Sequence, residues 1–361
     1  MTEVLFADAN VDELRAERTL PAKFRRLLGQ LNLPHTVADK SVAIKMHLGG
    51  NLGYTTIHPL FVRLLVQQLK DAGAKSICVM DGSTGGATAR GYTEEVLGAP
   101  VVSCFGWSGD YIREKRIGFD ALETALYGGN ALDVDVFIDL SHIKGHGMCG
   151  FGGAIKNIAM GCVTPKTRGE IHGLQGGIIW HAENCDHCMR CIEECPRHAN
   201  QFDDDGNYKV NWHECTYCHH CVLACQNEAL EPDETDFAKF QEGLARVAGV
   251  FLDHFDPENL LYINVLTDIT IFCDCWGLST RPLVPDVGIM AGRDIVATET
   301  ATLDAIDSED LMETGLPEGR EIVLEEGHLF ELIHGKNPYT QVRKMEQLGY
   351  GSSDYQIVEV D

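Results

Sequence analysis

Short apolar runs alternate with amphipathic stretches in the first part of the chain. Residues 41–48 and 76–81 are apolar runs that contain β-branched side chains, a composition typical of buried strands. Between them, residues 58–72 carry apolar side chains at spacings of three and four, and Gly73 follows as a helix stop. The pattern predicts a strand–helix–strand unit, which implies a parallel sheet with a right-handed crossover.

Similar signals continue on both sides of a cysteine-rich segment. They predict strands at 134–140, 260–272 and 286–291, and helices that start near Ala154 or span 237–254 and 294–306. The predicted fold class is therefore α/β, a parallel-sheet domain interrupted by an insert. We expect its first part at 1–179, the insert at 180–232 and its second part at 233–361.

The insert contains two cysteine runs with the same spacing. They are Cys185-x2-Cys188-x2-Cys191-x3-Cys195-Pro196 and Cys215-x2-Cys218-x2-Cys221-x3-Cys225. In a two-cluster bacterial ferredoxin, the first three thiolates of a run bind one 4Fe–4S cluster and the fourth binds the other. The predicted ligand groups are Cys185, Cys188, Cys191 and Cys225, and Cys215, Cys218, Cys221 and Cys195. A pair of zinc sites is the alternative, but it leaves the third cysteine of each triplet unexplained.

Charge and composition narrow the partners and the compartment. A formal net charge of −25 argues against nucleic acid and anionic membrane surfaces as partners. Eight thiolates kept free for iron indicate a reducing compartment. No stretch resembles a signal peptide or approaches the length of a membrane span, so we expect a soluble, cytoplasmic protein.

A glycine-rich stretch at 141–157 is the first candidate site outside the insert. It has lysines at both ends, Lys144 and Lys156, and its glycines are Gly145, Gly147, Gly150, Gly152 and Gly153. Because the stretch links a predicted strand to a predicted helix, its backbone N–H groups could hold an anion. The alternative is a structural glycine loop with solvated lysines.

Two other loops also follow predicted strands. Lys45 and His47 begin the loop at 45–58, and Asp81 begins the loop at 81–86. Loops at the carboxyl ends of parallel strands meet at the ligand crevice, so we expect these groups to converge with the glycine-rich stretch. Asp81 has a simpler alternative role, because aspartates also cap helices and turns.

A third candidate is the Cys273-Asp274-Cys275-Trp276 segment. With Cys162, the two cysteines could hold a third iron–sulfur cluster or another metal. A zinc site, a redox-active dithiol and buried free cysteines that pack as small hydrophobes are the alternatives. Cys149 is a further possible ligand or nucleophile. Most histidines in and before the insert are interpreted as surface or packing groups that tune cluster potential: His181, His187, His198, His213, His219 and His220. His172 is the exception to be tested, because it lies between Cys162 and the first cysteine run.

Several segments together resemble the ferredoxin-containing branch of the domain-of-unknown-function 362 family. They are IHP at 57–59, MDGS at 80–83, KGHGMCGFGGAIKNIAMGC at 144–162, both cysteine runs, INVLTDITIFCDCWG at 263–277 and VPDVGIMAGRDIVA at 284–297. The resemblance implies a parallel α/β domain interrupted by a ferredoxin unit, in a family commonest in anaerobic bacteria and archaea. One departure is Cys225-Gln226, where the usual proline is missing.

These features predict an iron–sulfur oxidoreductase of anaerobic metabolism. Electrons from a redox partner protein would pass through two 4Fe–4S clusters to an anionic substrate, or to a third metal or cluster site, in the crevice. The alternatives are a non-catalytic electron-transfer or cluster-maturation protein that docks a partner enzyme, and a non-redox transferase or isomerase with structural clusters.

Overall fold

The computed structural model describes residues 1–50, 52–212, 214–215, 218–233, 237–277, 279–312 and 314–360. His213 lies outside the described residues. The strands are β1 Thr2–Asp8, β2 Ser41–Lys45, β3 Ser76–Asp81, β4 Val101–Ser103, β5 Ile112–Phe119, β6 Leu122–Gly128, β7 Val136–His142, β8 Lys144–His146, β9 Gly150–Gly152, β10 Ile178–Trp180, β11 Asn200–Phe202, β12 Tyr208–Val210, β13 Leu230–Pro232, β14 Leu260–Leu266, β15 Gly288–Gly292 and β16 Tyr355–Glu359.

The helices cover both faces of the largest sheet. They are α1 Leu20–Gln30, α2 Leu33–Val37, α3 Pro59–Asp71, α4 Glu94–Leu97, α5 Gly129–Leu132, α6 Ala154–Gly161, α7 Pro165–His172, α8 Arg190–Glu193, α9 His220–Ala224, α10 Phe237–Leu252, α11 Ile295–Asp307, α12 Leu329–His334 and α13 Tyr339–Gln347. None of the helices in the described part of the chain is long and apolar enough to cross a membrane.

The central sheet has eight strands in the order β16-β1-β15-β14-β7-β2-β3-β4. Among these described strands, only β15 runs antiparallel to its neighbours, which are β1 and β14. The predicted unit at 41–81 is present, since β2 and β3 pair in parallel on either side of α3. His58 caps α3 by accepting a hydrogen bond from the Leu60 amide, and Pro59 opens the helix. The prediction of a mainly parallel α/β fold is confirmed.

Each strand of the sheet sends side chains alternately into two cores. Val136, Ile138 and Leu140 of β7 pack with α1 and α3 in the core on one face. Phe137 points to the other face, where its ring lies 4.8 Å from that of Phe251 in α10. Because β7 is buried on both faces, its first three residues are all apolar, and its polar residues Asp139 and Ser141 are buried and hydrogen-bonded to each other.

One predicted strand ends earlier than its apolar pattern suggests. The run at 260–272 predicts a single strand, but β14 ends at Leu266. Asp268 has a positive φ of 48°, and its backbone N–H donates to the Asp286 carboxylate, so the chain turns there. Residues 267–273 therefore form a loop beside the sheet edge, and this loop carries Cys273 to the crevice.

Between α7 and α10, the described residues of the segment 178–232 contain four short strands. The strands β10 and β13 pair antiparallel, as do β11 and β12, and none of these four joins the central sheet. Two short helices, α8 and α9, complete this cysteine-rich insert. The sheet strands before and after it, β7 and β14, are direct neighbours. The insert thus lies within a connection between adjacent parallel strands.

A short hairpin brings the glycine-rich stretch to the crevice. After β7, the strands β8 and β9 pair with Gly145 opposite Phe151. The Gly145 N–H donates to the Thr270 carbonyl, and a Cβ at Gly145 would lie 2.4 Å from the Ile271 oxygen. The hairpin therefore packs backbone to backbone against the loop that carries Cys273.

We expect Gly145→Ala to destabilise the protein by about 1–3 kcal/mol, because the Cβ has no space against the Ile271 carbonyl. The matched control is Gly169→Ala in α7, where a Cβ has no neighbour within 4 Å and alanine favours the helix. Urea unfolding followed by circular dichroism measures both variants. Equal unfolding midpoints would contradict the close packing of the hairpin.

Candidate functional site

A cavity of about 300 Å³ opens at the carboxyl ends of β2, β3 and β7. His47, Asp81 and His142, which lie at or just beyond these strand ends, contribute to its wall. The β9 strand, α6, α7 and the turn at 273–276 complete it. The structure thus brings together the three loops that were expected to converge, and we call this space the crevice.

Lys45 lies beneath the crevice and is fully buried. Its ammonium group is 3.0 Å from Asp81 Oδ1 and donates to Asn157 Oδ1 at 2.6 Å. Burial alone would lower the pKa of Lys45, but Asp81 together with Cys162, Cys104 and Asp139 outweighs burial and raises it. Burial would likewise raise the pKa of Asp81, but Lys45 holds it below its usual range. Lys45 therefore positions Asp81 at the crevice wall.

Asn157 connects this ion pair to a second buried carboxyl group. Its side-chain amide donates to Asp139 Oδ2 at 2.8 Å, and the Ser141 hydroxyl donates to Asp139 Oδ1. Burial raises the pKa of Asp139 to about 7, although these hydrogen bonds and Lys45 oppose the rise. Asp139 can therefore exchange a proton near neutral pH. It is connected to the crevice through Ser141, which lines the wall.

Asp274 is held by His142 and Lys144, which lie two residues apart in the glycine-rich stretch. The Lys144 ammonium group is 3.0 Å from Asp274 Oδ1, and His142 Nδ1 is 2.9 Å from Oδ2. Lys144 also donates to the carbonyl and hydroxyl oxygens of Thr55, at 2.6 and 2.8 Å. Burial would raise the pKa of Asp274, but His142 and Lys144 outweigh it and lower that pKa. The three donors of Lys144 are thus taken up by the protein itself.

The five glycines of the stretch have different surroundings. Gly152 and Gly153 line the crevice. Gly145 and Gly150 make close backbone contacts instead, since a Cβ at Gly150 would lie 2.7 Å from the Lys336 oxygen. Gly147 lies in the buried turn between β8 and β9. The glycines thus serve both the crevice and the packing of the hairpin.

The start of α6 is occupied by a carboxyl group of the protein. The Ala154 N–H donates to Glu299 Oε1 at 2.7 Å, and a Cβ at Gly153 would lie 2.3 Å from the same oxygen. The expected anion site at this helix start is therefore filled by Glu299, which is fully buried. Burial raises the pKa of Glu299 to about 8, against the lowering effect of the Ala154 N–H.

The remaining polar groups of the crevice wall are mainly basic. Lys156 lies on α6, Arg168 and His172 lie on α7, and His47 faces them from the loop after β2. Burial lowers the pKa of Lys156, of His47, and of His172, the last to about 4. Arg168 Nε and His172 Nδ1 are buried and have no hydrogen-bond partner among the described residues.

Cys273 and Cys275 meet at the crevice. Their sulfurs form a disulfide, and the Lys156 ammonium group is 3.6 Å from each sulfur. His146 joins them, with a ligand atom that lies within 4.8 Å of both sulfurs, and such a group could hold a metal ion. Cys273 is buried and Cys275 is exposed.

The structure does not bring Cys162, the expected third ligand, into this group. Its thiol is fully buried and hydrogen-bonds with that of Cys104. His146 of β8 is the third potential ligand in its place. Cys149 is also fully buried, with its sulfur 3.2 Å from His146 Nδ1, and burial raises its pKa to about 12. A thiol in that state is a poor nucleophile.

The insert places its eight cysteines in two groups. Cys185, Cys188, Cys191 and Cys225 surround one cavity, and Cys195, Cys215, Cys218 and Cys221 surround another. The fourth cysteine of each run therefore lies with the first three of the other run. The two halves also match in detail, because the Ala199 N–H contacts Cys195 Sγ at 3.3 Å and the Ala229 N–H contacts Cys225 Sγ at 3.2 Å.

One of these cysteine groups lies against the α/β body. The Lys336 ammonium group donates to the Cys215 carbonyl, and Glu214 pairs with both Arg197 and Arg320. His334 lies two residues before Lys336 at the end of α12, and its Nε2 is 2.9 Å from the Ile271 carbonyl. The segment 334–336 thus touches both the insert and the loop that carries Cys273.

Comparison with known proteins identifies the family. A family model described as Domain of unknown function (DUF362) matches residues 42–304. The chain belongs to this family. The DUF362 match includes β2 to α11 and hence most of the crevice wall described above.

Two curated proteins are similar over short segments. The B subunit of polysulfide reductase from Wolinella succinogenes is 30% identical over 69 residues, which cover 17% of this chain and 36% of that protein. Pyruvate synthase subunit PorD of Methanocaldococcus jannaschii is 35% identical over 48 residues, which cover 13% of this chain and 56% of that protein. The chain thus spans only part of the length of each relative.

Two solved structures are similar at low identity. A Thermotoga maritima protein aligns over 70% of this chain and 52% of its own length, with 12% identity and a TM-score of 0.39. The lactate racemase apoprotein from Thermoanaerobacterium thermosaccharolyticum aligns over 74% of this chain and 51% of its own, with 12% identity and a TM-score of 0.33.

Several residues of the crevice were not predicted from the sequence. His142 and His146 lie in the glycine-rich stretch, and Asp274 lies between two candidate cysteines, so each adjoined a predicted site residue. Glu299 on α11 and Arg168 on α7 had no such neighbour, because both lie outside the segments that were predicted to form the site. Only the packing of α11 and α7 against the crevice reveals them.

The raised pKa of Glu299 predicts a specific pH dependence of stability. Below its ordinary pKa the group is protonated in both states, and between that value and about 8 only the folded state keeps the proton. As the pH rises across this window, the free energy of unfolding of the wild type should therefore fall by up to about 1.4 kcal/mol per pH unit relative to that of Glu299→Gln. Urea unfolding from pH 6 to 9 measures this difference, and a constant difference would contradict the assignment.

Proposed function

We propose that this protein is an iron–sulfur oxidoreductase that passes electrons through two 4Fe–4S clusters to an anionic substrate in the crevice. The cysteine-rich insert would be a two-cluster ferredoxin module, which places the chain in the ferredoxin-containing branch of its family. The observation that carries the proposal is the sorting of eight cysteines into two crossed groups of four.

The donor chemistry of each group fits a 4Fe–4S cluster. Each offers four thiol sulfurs, the ligand set of such clusters, and backbone N–H groups already point at Cys195 and Cys225. Positive φ values at His187, Met189 and His219 turn the backbone within the cysteine runs. Bound clusters would supply one-electron transfer, at potentials that N–H groups near the sulfurs adjust.

The names of the two curated relatives support electron transfer. The first relative is, by name, a chain of a reductase, and the second is a subunit of pyruvate synthase. By this likeness, we propose that the insert exchanges electrons with a partner redox protein. Cys188 and Cys218 are exposed, and so is the Leu223 side chain beside the second run. These groups form the surface where a partner would approach.

An anionic substrate is favoured by the charge of the crevice wall. Asp81 is neutralised by Lys45, and Asp274 by Lys144 and His142. Lys156 and Arg168 face the same space, and neither forms an ion pair with any described acidic residue. Their charges, and the unpartnered Arg168 Nε and His172 Nδ1, are suited to an anion that accepts hydrogen bonds.

Paired cysteine substitutions test the two cluster sites. After anaerobic reconstitution we expect about eight iron atoms per chain, and about four in Cys188→Ala/Cys225→Ala, because both residues belong to one group. Cys195→Ala/Cys218→Ala should also keep about four, with the other cluster left. Iron analysis and EPR of the reduced protein measure this.

The scrambled pair Cys188→Ala/Cys195→Ala is the matched control, because it removes one ligand from each group and should disturb both clusters. If this pair and Cys188→Ala/Cys225→Ala lose iron equally, the crossed grouping is wrong. Two zinc atoms in place of iron after anaerobic purification would favour structural zinc sites.

Anion binding tests the crevice. Lys156→Met should weaken binding of small anions by about tenfold or more, since it removes a cation that no described acidic residue neutralises. Lys166→Met is the control, because Lys166 is an exposed residue of α7 and the change in charge is the same. Calorimetric titration with inorganic phosphate, sulfate and malonate measures the effect. Equal weakening in the two variants would contradict a specific site.

A further inference from the structure

We propose that Cys273 and Cys275 form a redox-active dithiol–disulfide centre, which is reduced by electrons from the insert and in turn reduces small anionic disulfides in the crevice. The proposal deepens the function proposed above and rests on it for the source of electrons.

The first observation is the position of the two sulfurs. They are joined to each other in the crevice wall, with one partner buried and the other exposed. A thiol–disulfide exchange centre needs this asymmetry, since the exposed sulfur attacks and the buried one resolves the mixed disulfide. Cys275 is the attacking residue by this criterion, and Cys273 is the resolving residue.

The second observation is the fixed backbone between the cysteines. Asp274 lies at the start of the turn Asp274–Trp276, and its carboxylate is held by Lys144 and His142 from below. The Trp276 N–H donates to the Cys273 carbonyl at 3.1 Å and closes the turn. Because the turn is anchored through Asp274, both sulfurs stay beside the crevice when the bond between them opens.

The third observation is the lysine beside the pair. Lys156 lies 3.6 Å from each sulfur, so its ammonium group can stabilise whichever thiolate forms and can return a proton to it. Together with Arg168, it favours substrates that carry negative charge. The chemical class that fits is a small disulfide with carboxylate groups.

The fourth observation is a chain of contacts from the pair to the insert. Phe272 directly precedes Cys273, and its ring stacks on that of Trp276 with centroids 4.3 Å apart. The His334 ring lies 5.7 Å from that of Phe272. Two residues further, Lys336 donates to the Cys215 carbonyl, next to the sulfur group of the second run. The pair thus has a packed aromatic connection toward the insert.

The reactions balance in electrons and atoms. Reduction of the Cys273–Cys275 disulfide takes two electrons and two protons and yields two thiols. The electrons would be supplied one by each of the two clusters that the cysteines of the insert would hold, after their reduction by a low-potential electron-carrier protein. The protons would come from solvent through Lys156. Cys275 then attacks one sulfur of the substrate disulfide and releases one thiol. Cys273 displaces the second thiol and re-forms the internal disulfide.

Thiol alkylation of the full-length, anaerobically reconstituted protein tests the reduction step. After the clusters are reduced by titanium(III) citrate, iodoacetamide should label the peptide that contains Cys273 and Cys275 on both residues, as mass spectrometry detects. The cluster-deficient variant Cys188→Ala/Cys195→Ala, treated for the same time, should show at least about tenfold less label, because it keeps the insert but lacks the clusters through which the electrons would pass. Equal labelling would overturn the proposal.

A metal at the pair is the outcome that excludes a disulfide centre. If the protein carries one metal ion that is lost in Cys273→Ser/Cys275→Ser and kept in Cys78→Ser, the proposal is wrong.

Absence of iron and of a reducible EPR signal would instead refute the proposed function. In cluster-free protein, equilibration with dithiothreitol buffers should show a reversible two-electron transition at this peptide, and its absence would overturn the inference.

Substrate preference is tested with two disulfides of opposite charge and similar size. Dithiodiglycolate should oxidise the reduced pair at least about tenfold faster than cystamine, and Lys156→Met should reduce this ratio while Lys166→Met leaves it unchanged. Equal rates with the two disulfides in the wild type would contradict the anionic substrate class.

Discussion

The organisation of the crevice depends on one buried carboxylate. Asp274 is bound by Lys144 and His142, and Lys144 is in turn bound by Thr55, so a single ionic group joins three separate loops. A buried charge must be paired, and removal of one partner of such a group typically costs about 3–5 kcal/mol. The protein can bear this constraint because the sheet edge already brings the three loops close. The interaction therefore fixes positions more than it adds stability.

The same principle explains which basic groups remain available for a ligand. Lys45 and Lys144 have their own acidic partners, so they position Asp81 and Asp274, while Lys156 and Arg168 face the crevice without an ion-pair partner among the described acidic residues. The chain as a whole carries a formal charge of −25, so the electrostatic potential of the whole protein repels an approaching anion. The basic side chains of the crevice wall attract it only at short range. Such an arrangement makes binding depend on close contact.

Apolar periodicity was sufficient to predict the parallel sheet, the unit formed by β2, α3 and β3, and the start of α6. It failed where local backbone geometry overrides the pattern, as at Asp268, whose positive φ ends the apolar run. For the crevice, position after a strand located Lys45, His47 and Asp81 but could not tell which charges neutralise each other. Cys162 was expected beside Cys273, but it packs against Cys104 because α6 carries it to another face. Partners such as Glu299 lie far away in sequence, and no local signal can assign them.

The contacts of the insert also indicate the order in which electrons would pass. Glu214 touches the α/β body through Arg320, Cys215 through Lys336, and Arg197 through the Glu321 carbonyl. All three belong to or adjoin the group of Cys195, Cys215, Cys218 and Cys221. The described residues that line the two cavities all belong to the insert, so the contacts of Glu214, Cys215 and Arg197 are what distinguish the two groups. Because electron transfer weakens steeply with distance, the group beside the body is the natural donor to the crevice. Under the proposed function, the group of Cys188 would then receive the electrons from a partner protein.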